Sequence, residues 1–448
     1  MEISFKGQKR VEARLRGIQT RIAKGPNEYL LNLECHLRQK YFEVLQYKEE
    51  FWFVKSRYNW IIQGDRNTSF FHTLALIRRR RNIILCLKDN LENWVQDESE
   101  VAELIRSRFI KLFSTSVTSV PRSVWSLSTL PSFLRAEDAS TLCANLTRQE
   151  VKEGLWSLKP LKALGPDGIH AGFFQAYWQQ VGTSMVNKVN KVFQSSTMTP
   201  HLNKIIITLI PKHPGADCQA SFRLISLCNT VYKVVTKVIV KRLFSLLPKL
   251  ISPLQIAFVS GRMGLDNMII AQELIHTVTL KKGKMGFMAI KIDLEKAYDR
   301  LELHIIRDVL ELYRLPPSLI KLIMSCVSSS SISILLNGGK LEPFQPSRGI
   351  RQGDLLSPYL FNMCMEVLGF LISGRCEEKL WDPVRALRGG LAFSYLIFAN
   401  DLVLFAKADI KSCTSVREAL DSFCKLSSQK ISLNKSKVYF STNTNLEI

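Results

Sequence analysis

Asp293, Asn400 and Asp401 stand at the ends of apolar segments, where side chains that do chemistry are held firmly in place. The segment 287–292 ends on Asp293, and about a hundred residues later the segment 395–399 ends on Asn400 and Asp401. Carboxylate and amide oxygens are ligands for Mg²⁺. Two such ions about 4 Å apart can activate a hydroxyl nucleophile and stabilise a departing pyrophosphate. The pattern predicts a two-metal nucleotidyl-transfer site, with Asp293 and Asp401 as metal ligands and Asn400 beside them.

The elements that must position these residues follow from the hydrophobic pattern. The run before Asp293 predicts a buried strand, and a helical pattern begins directly after it. Two apolar runs, 395–399 and 402–406, predict a β-hairpin with Asn400 and Asp401 at its tip. Each Asp also has a plain structural interpretation, as a helix N-cap for Asp293 and as a turn residue for Asp401. The interpretation of Asp401 as a turn residue is weakened, because so apolar a hairpin should be buried.

A resemblance to a known family rests on three motifs in order. KIDLEKAYDRL (291–301) resembles motif A of reverse transcriptases, RGIRQGDLLSPYLF (348–361) resembles motif B, and FAND (398–401) resembles motif C, which usually reads FADD. The chain is most similar to LINE-type non-LTR retrotransposon reverse transcriptases of the plant-type branch. This resemblance implies an RNA-directed DNA polymerase with an α+β right-hand fingers–palm fold, an antiparallel palm sheet, and two Mg²⁺ ions as cofactors. It also implies an RNA template, a DNA primer and deoxynucleoside triphosphates as partners.

The resemblance assigns six residues to nucleotide binding: Lys212, Arg223, Tyr298, Gln352, Gly353 and Lys435. Lys212 and Arg223 fall in the fingers, where Arg can bind phosphate through two parallel hydrogen bonds, although either residue could instead form a structural ion pair. The family places the aromatic at Tyr298 against the nucleotide sugar, where a bulky ring excludes a 2′-hydroxyl. From the residues alone, a core aromatic would be the simpler interpretation.

The N-terminal part of the chain is basic and rich in helical spacing. We predict a helical region at 1–113 with long helices over 1–23 and 30–55, a linker rich in Ser, Thr and Pro within 114–146, and a reverse transcriptase domain at 147–448. Between residues 51 and 82, aromatic and basic side chains alternate, as they do in proteins that stack bases and bind phosphates. An aromatic core with a basic exposed face is the alternative.

Part of that stretch (WxxxGDxNTxFFH) also resembles the segment upstream of the polymerase in this family, which favours RNA binding. The resemblance adds two basic residues further along the chain, in KALGPDG-like and QIAFVSGRMGLDN segments. The predicted nucleic-acid-binding residues are Lys55, Arg57, Arg78, Arg79, Arg80, Arg81, Lys162 and Arg262.

Charge and cysteine usage limit the classes of function. A net charge of +22 and a pI near 9.6 favour a polyanionic partner, and nucleic acid is the commonest one. A membrane surface is the alternative, but no lipidation signal or long basic amphipathic helix supports it. The ten cysteines form no CxxC pair, so we expect no zinc site and reduced thiols. Without a secretory signal or transmembrane segment, we expect an intracellular protein of the nucleus or cytoplasm.

Asn400 is the departure from the family pattern that matters most. It replaces an Asp that the family uses as a metal ligand, so two divalent ions would lose a compensating charge. Other departures are Leu164, Leu224 and Leu355 for Pro, Tyr395 for His, and Ser428 for Gly. Each can arise by one C-to-T or G-to-A transition, which predicts a decayed copy with impaired activity. The alternative function is a noncatalytic nucleic-acid-binding remnant of such a polymerase.

Overall fold

The computed structural model describes residues 2–56, 68–115, 134–281, 285–386 and 389–444. The chain forms two compact units. The first is Met1–Leu85 with His213–Gly215, and the second is Cys86–Lys212 with Ala216–Ile448. Within the described ranges, no helix combines the length and the apolar character needed to cross a membrane. All ten cysteines are free.

The first unit is built from three helices. They are α1 (Glu2–Ile22), α2 (Glu28–Ser56) and α3 (Thr68–Asn82). The first two lie where the helical spacing predicts them. The long helix α2 packs against both α1 and α3, and Ile18 of α1 and Leu37 of α2 are buried. The four arginines that end α3 are exposed.

The second unit holds the remaining elements. Its helices are α4 (Glu98–Phe113), α5 (Ala136–Leu142), α6 (Arg148–Trp156), α7 (Ala171–Ala176), α8 (Trp178–Ser195), α9 (Thr230–Phe244), α10 (Leu247–Leu250), α11 (Gly264–Leu280), α12 (Ala297–Arg300), α13 (Leu303–Leu312), α14 (Pro317–Ser328), α15 (Ser357–Glu377) and α16 (Ile410–Ser427). Its strands are β1 (Leu87–Lys88), β2 (Trp94–Val95), β3 (Lys204–Pro211), β4 (Phe222–Cys228), β5 (Phe287–Asp293), β6 (Ser331–Leu336), β7 (Gly339–Lys340), β8 (Val384–Arg385), β9 (Ala392–Phe393), β10 (Tyr395–Phe398), β11 (Asp401–Lys407) and β12 (Lys437–Phe440).

The sheet that carries the acidic residues is four-stranded, in the order β10-β11-β5-β12, with every neighbouring pair antiparallel. We call it the palm sheet, and it confirms the predicted antiparallel sheet. One face is buried: Ile292 is 4% exposed, and Leu402 and Leu404 are fully buried. The other face is covered in part by α11, which packs against Ala289 and Phe405. On this face, Lys291 and Asp401 are exposed.

A second four-stranded sheet has the order β4-β3-β6-β7. Strand β3 pairs antiparallel with β4 and parallel with β6. Strand β4 lies at one edge of this sheet. We call this the fingers sheet, since Lys212 follows β3 and Arg223 lies in β4. The pairs β1–β2 and β8–β9 complete the strands of the described residues.

The structure groups α4 differently from the predicted domain boundaries. Helix α4, predicted as part of the basic N-terminal region, belongs to the second unit. Its apolar stripe is buried, including Val101, Ile105 and Phe109, and the carbonyl of Leu112 accepts a hydrogen bond from Arg348 Nε at 2.8 Å. An amphipathic helix must bury its apolar stripe against a core. The composition of the segment does not predict which unit provides that core. The predicted linker 114–146 contains α5, and residues 116–133 lie outside the described residues.

Candidate active site

The register of two strands brings the predicted metal ligands together. Asp293 ends β5, Asp401 begins β11, and the two residues are directly opposite each other. The Asp293 N–H donates to Ser436 Oγ (3.2 Å), and the Asp293 carbonyl accepts from the Ser432 N–H (2.8 Å), on the β12 side of the strand. Asp293 and Asp401 are therefore a non-hydrogen-bonded pair, whose Cα atoms are about 4.5 Å apart and whose side chains share one face.

Asn400 lies in the two-residue turn that joins β10 to β11. Phe398 and Asp401 pair across this turn, and Ala399 has a left-handed φ of 55°. That conformation costs a non-glycine residue about 1 kcal/mol, and the pairing of β10 with β11 must offset this cost. The amide oxygen of Asn400 can be a metal ligand, but it brings no charge. Among the described residues, no group of three His, Cys, Asp or Glu side chains is arranged to hold a metal ion.

The oxygen ligands at the tip are of the chemical type that binds Mg²⁺. Two carboxylates, from Asp293 and Asp401, provide the hard oxygen ligands that this ion prefers. Asn400 leaves the set one negative charge short of the family pattern. These three residues would hold the metal ions.

Lys212 interacts electrostatically with Asp293 and with two other predicted triphosphate-binding cations. Partial burial lowers the pKa of Lys212, and the positive charges of Lys435 and Arg223 lower it further, while Asp293 and Asp299 act in the opposite direction. Lys212 Nζ donates to the Ala220 carbonyl at 2.7 Å, and the residues Lys212, Arg223 and Lys435 are all exposed. The structure thus brings Lys212 close enough to Arg223, Lys435 and Asp293 to interact electrostatically with each of them.

Tyr298 is half-buried and packs flat against a ring of the motif B helix. Its ring stacks on Phe361 of α15, with centroids 4.7 Å apart and an interplanar angle of 14°. Burial raises the pKa of Tyr298 to about 12. The ring thus packs against the core on one face and is only partly buried, and its contact with the nucleotide sugar stays a prediction.

Asp299 is buried beside a lysine rather than beside its neighbour Arg300. Burial raises the pKa of Asp299 to about 7, and the charges of Lys296 and Lys212 hold it from rising further. The ammonium of Lys296 is buried without a hydrogen-bond partner in the described part of the chain. Arg300 donates from Nε to the carbonyl of Ser428 at 3.3 Å.

Gln352 and Gly353 lie in a turn that links the fingers sheet to the start of α15. The carbonyl of Gln352 accepts from the N–H of Ser226 in β4 at 2.9 Å, and the Gln352 side chain is exposed. Gly353 has a φ of 101°, which favours glycine. Nearby, a Cβ at Gly349 would lie 2.6 Å from the carbonyl oxygen of Asp299. The turn is therefore fixed against motif A by backbone contact.

A buried polar network beneath this turn was not predicted from the sequence. Arg351 Nη2 donates to Asn203 Oδ1 (2.8 Å) and to the Cys326 carbonyl (2.6 Å). The Arg351 guanidinium lies 4.8 Å from the centre of the Tyr232 ring, and the Tyr232 hydroxyl donates to Asp354 Oδ2 at 3.0 Å. Burial raises the pKa of Asp354. The sequence feature that could have predicted this network is the pair of opposite charges at 351 and 354 in an otherwise apolar and glycine-rich stretch.

The predicted nucleic-acid-binding residues of the first unit are exposed where they are described. Lys55 Nζ lies 4.7 Å from the ring centre of Phe51 and 5.6 Å from that of Trp52, so its charge sits on an aromatic surface. Arg78–Arg81 are exposed at the end of α3. Arg57 lies outside the described residues, as does most of the WxxxGDxNTxFFH segment.

Lys162 and Arg262, the two remaining predicted contacts, differ in their surroundings. Lys162 is exposed in the loop before α7. The Arg262 guanidinium instead donates to several backbone carbonyls around α10, among them those of Ser252 (2.5 Å) and Ile251 (2.8 Å). Partial burial lowers its pKa. Arg262 therefore fastens the loop before α11, and its predicted contact with the template stays a prediction.

Two departures from the family pattern have a clear structural setting. Leu224 replaces Pro in β4 and is buried (3% exposed). Because β4 is an edge strand, a Pro is admissible there. Ser428 follows α16 with a φ of 54°, a left-handed conformation that helix ends usually give to glycine. The family's usual residues at both positions thus suit the backbone of this chain.

Comparison with known proteins gives a consistent picture. A family model described as reverse transcriptase (RNA-dependent DNA polymerase) matches residues 210–446, which include all three motifs. The transposon TX1 uncharacterized 149 kDa protein of Xenopus laevis is 27% identical over 374 residues, 83% of this chain and 28% of the relative.

Two further relatives are Pol polyproteins of the retrotransposable element R2. The one from Nasonia vitripennis is 28% identical over 246 residues, 55% of this chain and 22% of the relative. The R2DM polyprotein of Drosophila melanogaster is 27% identical over 263 residues, 58% of this chain and 23% of the relative. The chain spans roughly a quarter of the length of these relatives.

Proposed function

The chain belongs to the reverse transcriptase family, and we propose that it is by descent the RNA-directed DNA polymerase of a non-LTR retrotransposon. The predicted family is confirmed, while the plant-type branch stays a prediction. The observation that carries the proposal is the pairing of Asp293 with Asp401 on one face of an antiparallel sheet. We propose that the protein acts in the nucleus or cytoplasm, where an RNA template and a DNA primer are available.

In the proposed reaction, the primer 3′-oxygen forms a bond to the α-phosphorus of a deoxynucleoside triphosphate, and pyrophosphate leaves. Asp293 and Asp401 would hold two Mg²⁺ ions, which when bound lower the pKa of the 3′-hydroxyl and neutralise charge on the leaving group. Lys212, Arg223 and Lys435 bind the triphosphate oxygens, because Lys212 interacts electrostatically with Asp293 and with both other cations. Each residue contributes binding or orientation before the bond forms.

The other predicted nucleotide-binding residues position the base and sugar. Tyr298, fixed by its stacking on Phe361, presents the exposed edge of its ring to the sugar and excludes a 2′-hydroxyl. Gln352 and Gly353 offer an exposed side chain and a close backbone approach to the nascent base pair. Their turn is fixed from below by the hydrogen bond to Ser226.

We propose that Asn400 impairs this copy. An amide in place of a carboxylate keeps an oxygen ligand but removes a charge that would offset the two metal ions. Changing a residue that only supports a metal ligand commonly costs 10- to 100-fold. Loss of a charged ligand should therefore reduce Mg²⁺-dependent extension by about 100-fold or more.

Nucleic-acid binding would survive this impairment, which is why a noncatalytic remnant is the second candidate. Lys55, Arg57, Arg78–Arg81 and Lys162 would contact phosphates, and the net charge of +22 supports such contacts. Asn400 is the observation that favours this candidate. The two candidate functions differ only in whether the site catalyses nucleotidyl transfer.

Primer extension on an RNA template with Mg²⁺ tests the proposal. The unmodified chain is compared with Asn400→Asp and with Asp293→Ala. We expect extension by Asn400→Asp, at least about 100-fold slower extension by the unmodified chain, and none by Asp293→Ala. Equal rates for the first two would refute the impairment. If Asn400→Asp binds primer–template but does not extend it, the noncatalytic candidate replaces the polymerase.

A further inference from the structure

Two lysines face each other on the palm sheet, next to the candidate active site. Lys291 in β5 is directly opposite Lys437 in β12, and both side chains are exposed. Opposite residues in an antiparallel pair place their side chains on the same face. Asp293 lies two residues beyond Lys291, about 7 Å along the strand and on that same face, because strand side chains alternate. The lysine pair therefore adjoins a predicted metal ligand.

The face that carries these lysines is the open one. On the opposite face, Ile292 and Leu402 are buried. On the lysine face, α11 covers the sheet at Ala289 and leaves the part nearer Asp293 uncovered. Tyr439 lies on the same face two residues after Lys437, and it is 50% exposed. The surface thus combines two cations and an aromatic ring beside the carboxylates.

Two like charges placed directly opposite each other destabilise a strand pair. In the part of the chain that the structure describes, neither Lys291 nor Lys437 forms a salt bridge with a carboxylate of another residue. An anion that both ammonium groups could reach would remove this repulsion. Exposed cations interleaved with an aromatic ring are typical of surfaces that follow a nucleic-acid strand.

We propose that Lys291 and Lys437 bind phosphates of the primer strand next to its 3′ end. The proposal rests on the proposed polymerase function, because it takes Asp293 and Asp401 as the place of the 3′-hydroxyl. The phosphates nearest that hydroxyl must pass close to the same carboxylates. Of the proposed triphosphate cations, Lys212 and Arg223 lie at the fingers sheet and Lys435 lies in the loop before β12, whereas Lys291 and Lys437 are paired within the sheet that holds Asp293. The pair therefore suits the strand that supplies the nucleophile.

The test measures the affinity for an RNA-template–DNA-primer duplex, without nucleotide or Mg²⁺, between about 50 and 200 mM salt. The variant is Lys291→Gln with Lys437→Gln. Its matched control is Lys411→Gln with Lys425→Gln, which removes two exposed lysines of α16. Helix α16 packs against the opposite face of the sheet, where Cys413 Sγ lies 3.8 Å from Met288 Sδ.

We expect the variant to lose roughly five- to tenfold in affinity, since each exposed ionic contact adds little by itself. The slope of log K against log salt should fall by about 1.5–2, as expected for two phosphate contacts, and the control should keep both values. Neutral methylphosphonates at the last primer linkages should weaken the unmodified chain and the control. They should cost the variant nothing further.

Several results would overturn the inference. The pair would bind the template instead if neutral linkages in the template strand, and not in the primer, abolished the difference between variant and control. Unchanged affinity of the variant, with salt-dependent binding retained, would remove the lysine site and leave the polymerase proposal standing. A chain with no salt-dependent duplex binding would remove both. A melting curve for each variant excludes misfolding, and relief of like-charge repulsion should leave the variant at least as stable as the control.

Discussion

The hairpin tip with Asn400 and Asp401 and the motif B turn with Gln352 and Gly353 both border the candidate active site, but different forces hold them. At the tip, strand register alone places Asp401 opposite Asp293. Below the turn, Arg351 and its partners form a buried network of side-chain hydrogen bonds. Register depends on backbone pairing and hydrophobic alternation, whereas the network depends on the identity of each polar side chain.

This difference has a consequence for how substitutions act. A side chain at the tip can change from Asp to Asn without loss of any structural contact, because the backbone positions it. A substitution in the network leaves a buried polar group unpaired, which costs stability as well as function. Loss of activity at the tip and loss of fold at the turn should therefore be separable. Because the two losses are separable, a chain with Asn400 can lose activity and still keep its fold.

Arg351→Met gives the largest expected effect on the turn. Met has a similar volume, but its substitution would leave Asn203 Oδ1 and the Cys326 carbonyl without a buried donor. We expect a loss of about 3–5 kcal/mol in the free energy of unfolding, as for other broken buried charge networks. Urea denaturation measures it. Arg417→Met on the exposed face of α16 is the control, with a change within about 0.5 kcal/mol. Equal effects would mean that the network is not what holds the turn.

Asp299→Asn tests the same buried region through pH. The folded-state pKa of about 7 lies above the unfolded value near 3.9. Between about pH 4 and pH 7 the folded chain keeps a proton that the unfolded chain has lost, so this contribution to stability is full below pH 4 and is lost as pH rises through 7.

Asp299→Asn should remove that loss and raise stability at pH 7.5 by about 2–4 kcal/mol relative to the unmodified chain, with little change at pH 4. Thermal unfolding across this range provides the measurement. The control is Asp421→Asn, an exposed change on α16 that should leave the pH profile as it is. A parallel profile for Asp299→Asn would show that the carboxyl is ionised in the folded chain well below pH 7.

Asn400→Asp probes the tip, where function should change without the fold. Besides the expected gain of about 100-fold in extension, its free energy of unfolding without metal should stay within about 0.5 kcal/mol of the unmodified chain. Mg²⁺ should then raise the melting temperature of Asn400→Asp more than that of the unmodified chain, because binding to the folded state stabilises it. Identical Mg²⁺ shifts would show that the amide serves as well as the carboxylate.

The tip could be predicted from the sequence because its position is encoded by pattern. A change of periodicity at Asp293 and a polar pair between two apolar runs are both local features, and together they specify strand ends. The pairing of Asp293 with Asp401 is the natural register for a hairpin beside a strand that buries one face. The capping box at Thr147 and Glu150, which starts α6, is equally local, because it needs only a Thr followed three residues later by a Glu.

The turn could not be predicted in the same way because its partners are distant in the chain. Asn203, Tyr232 and Cys326 meet Arg351 only after the fingers sheet and α9 and α14 have packed. Nothing in the local pattern around Tyr232 distinguishes a hydrogen-bonded tyrosine from an ordinary core aromatic. Arg262 shows a different failure of local patterns. From the sequence its guanidinium could contact a template, but in the structure it donates hydrogen bonds to backbone carbonyls of its own loop. Long-range polar pairing is thus where local sequence patterns stop being informative.

The smallest predicted effect separates a hydrogen bond from mere burial. Tyr232 and Tyr313 are both buried, but the Tyr232 hydroxyl donates to Asp354, whereas the Tyr313 hydroxyl has no partner in the described residues. Replacing either by Phe removes the same atom. Tyr232→Phe should cost about 1–2 kcal/mol, because Asp354 is left short of a donor, and Tyr313→Phe should be neutral or slightly stabilising. Urea denaturation of the two variants side by side gives the difference. Equal losses would mean that packing, not polar pairing, holds the turn, and the contrast with the hairpin tip would disappear.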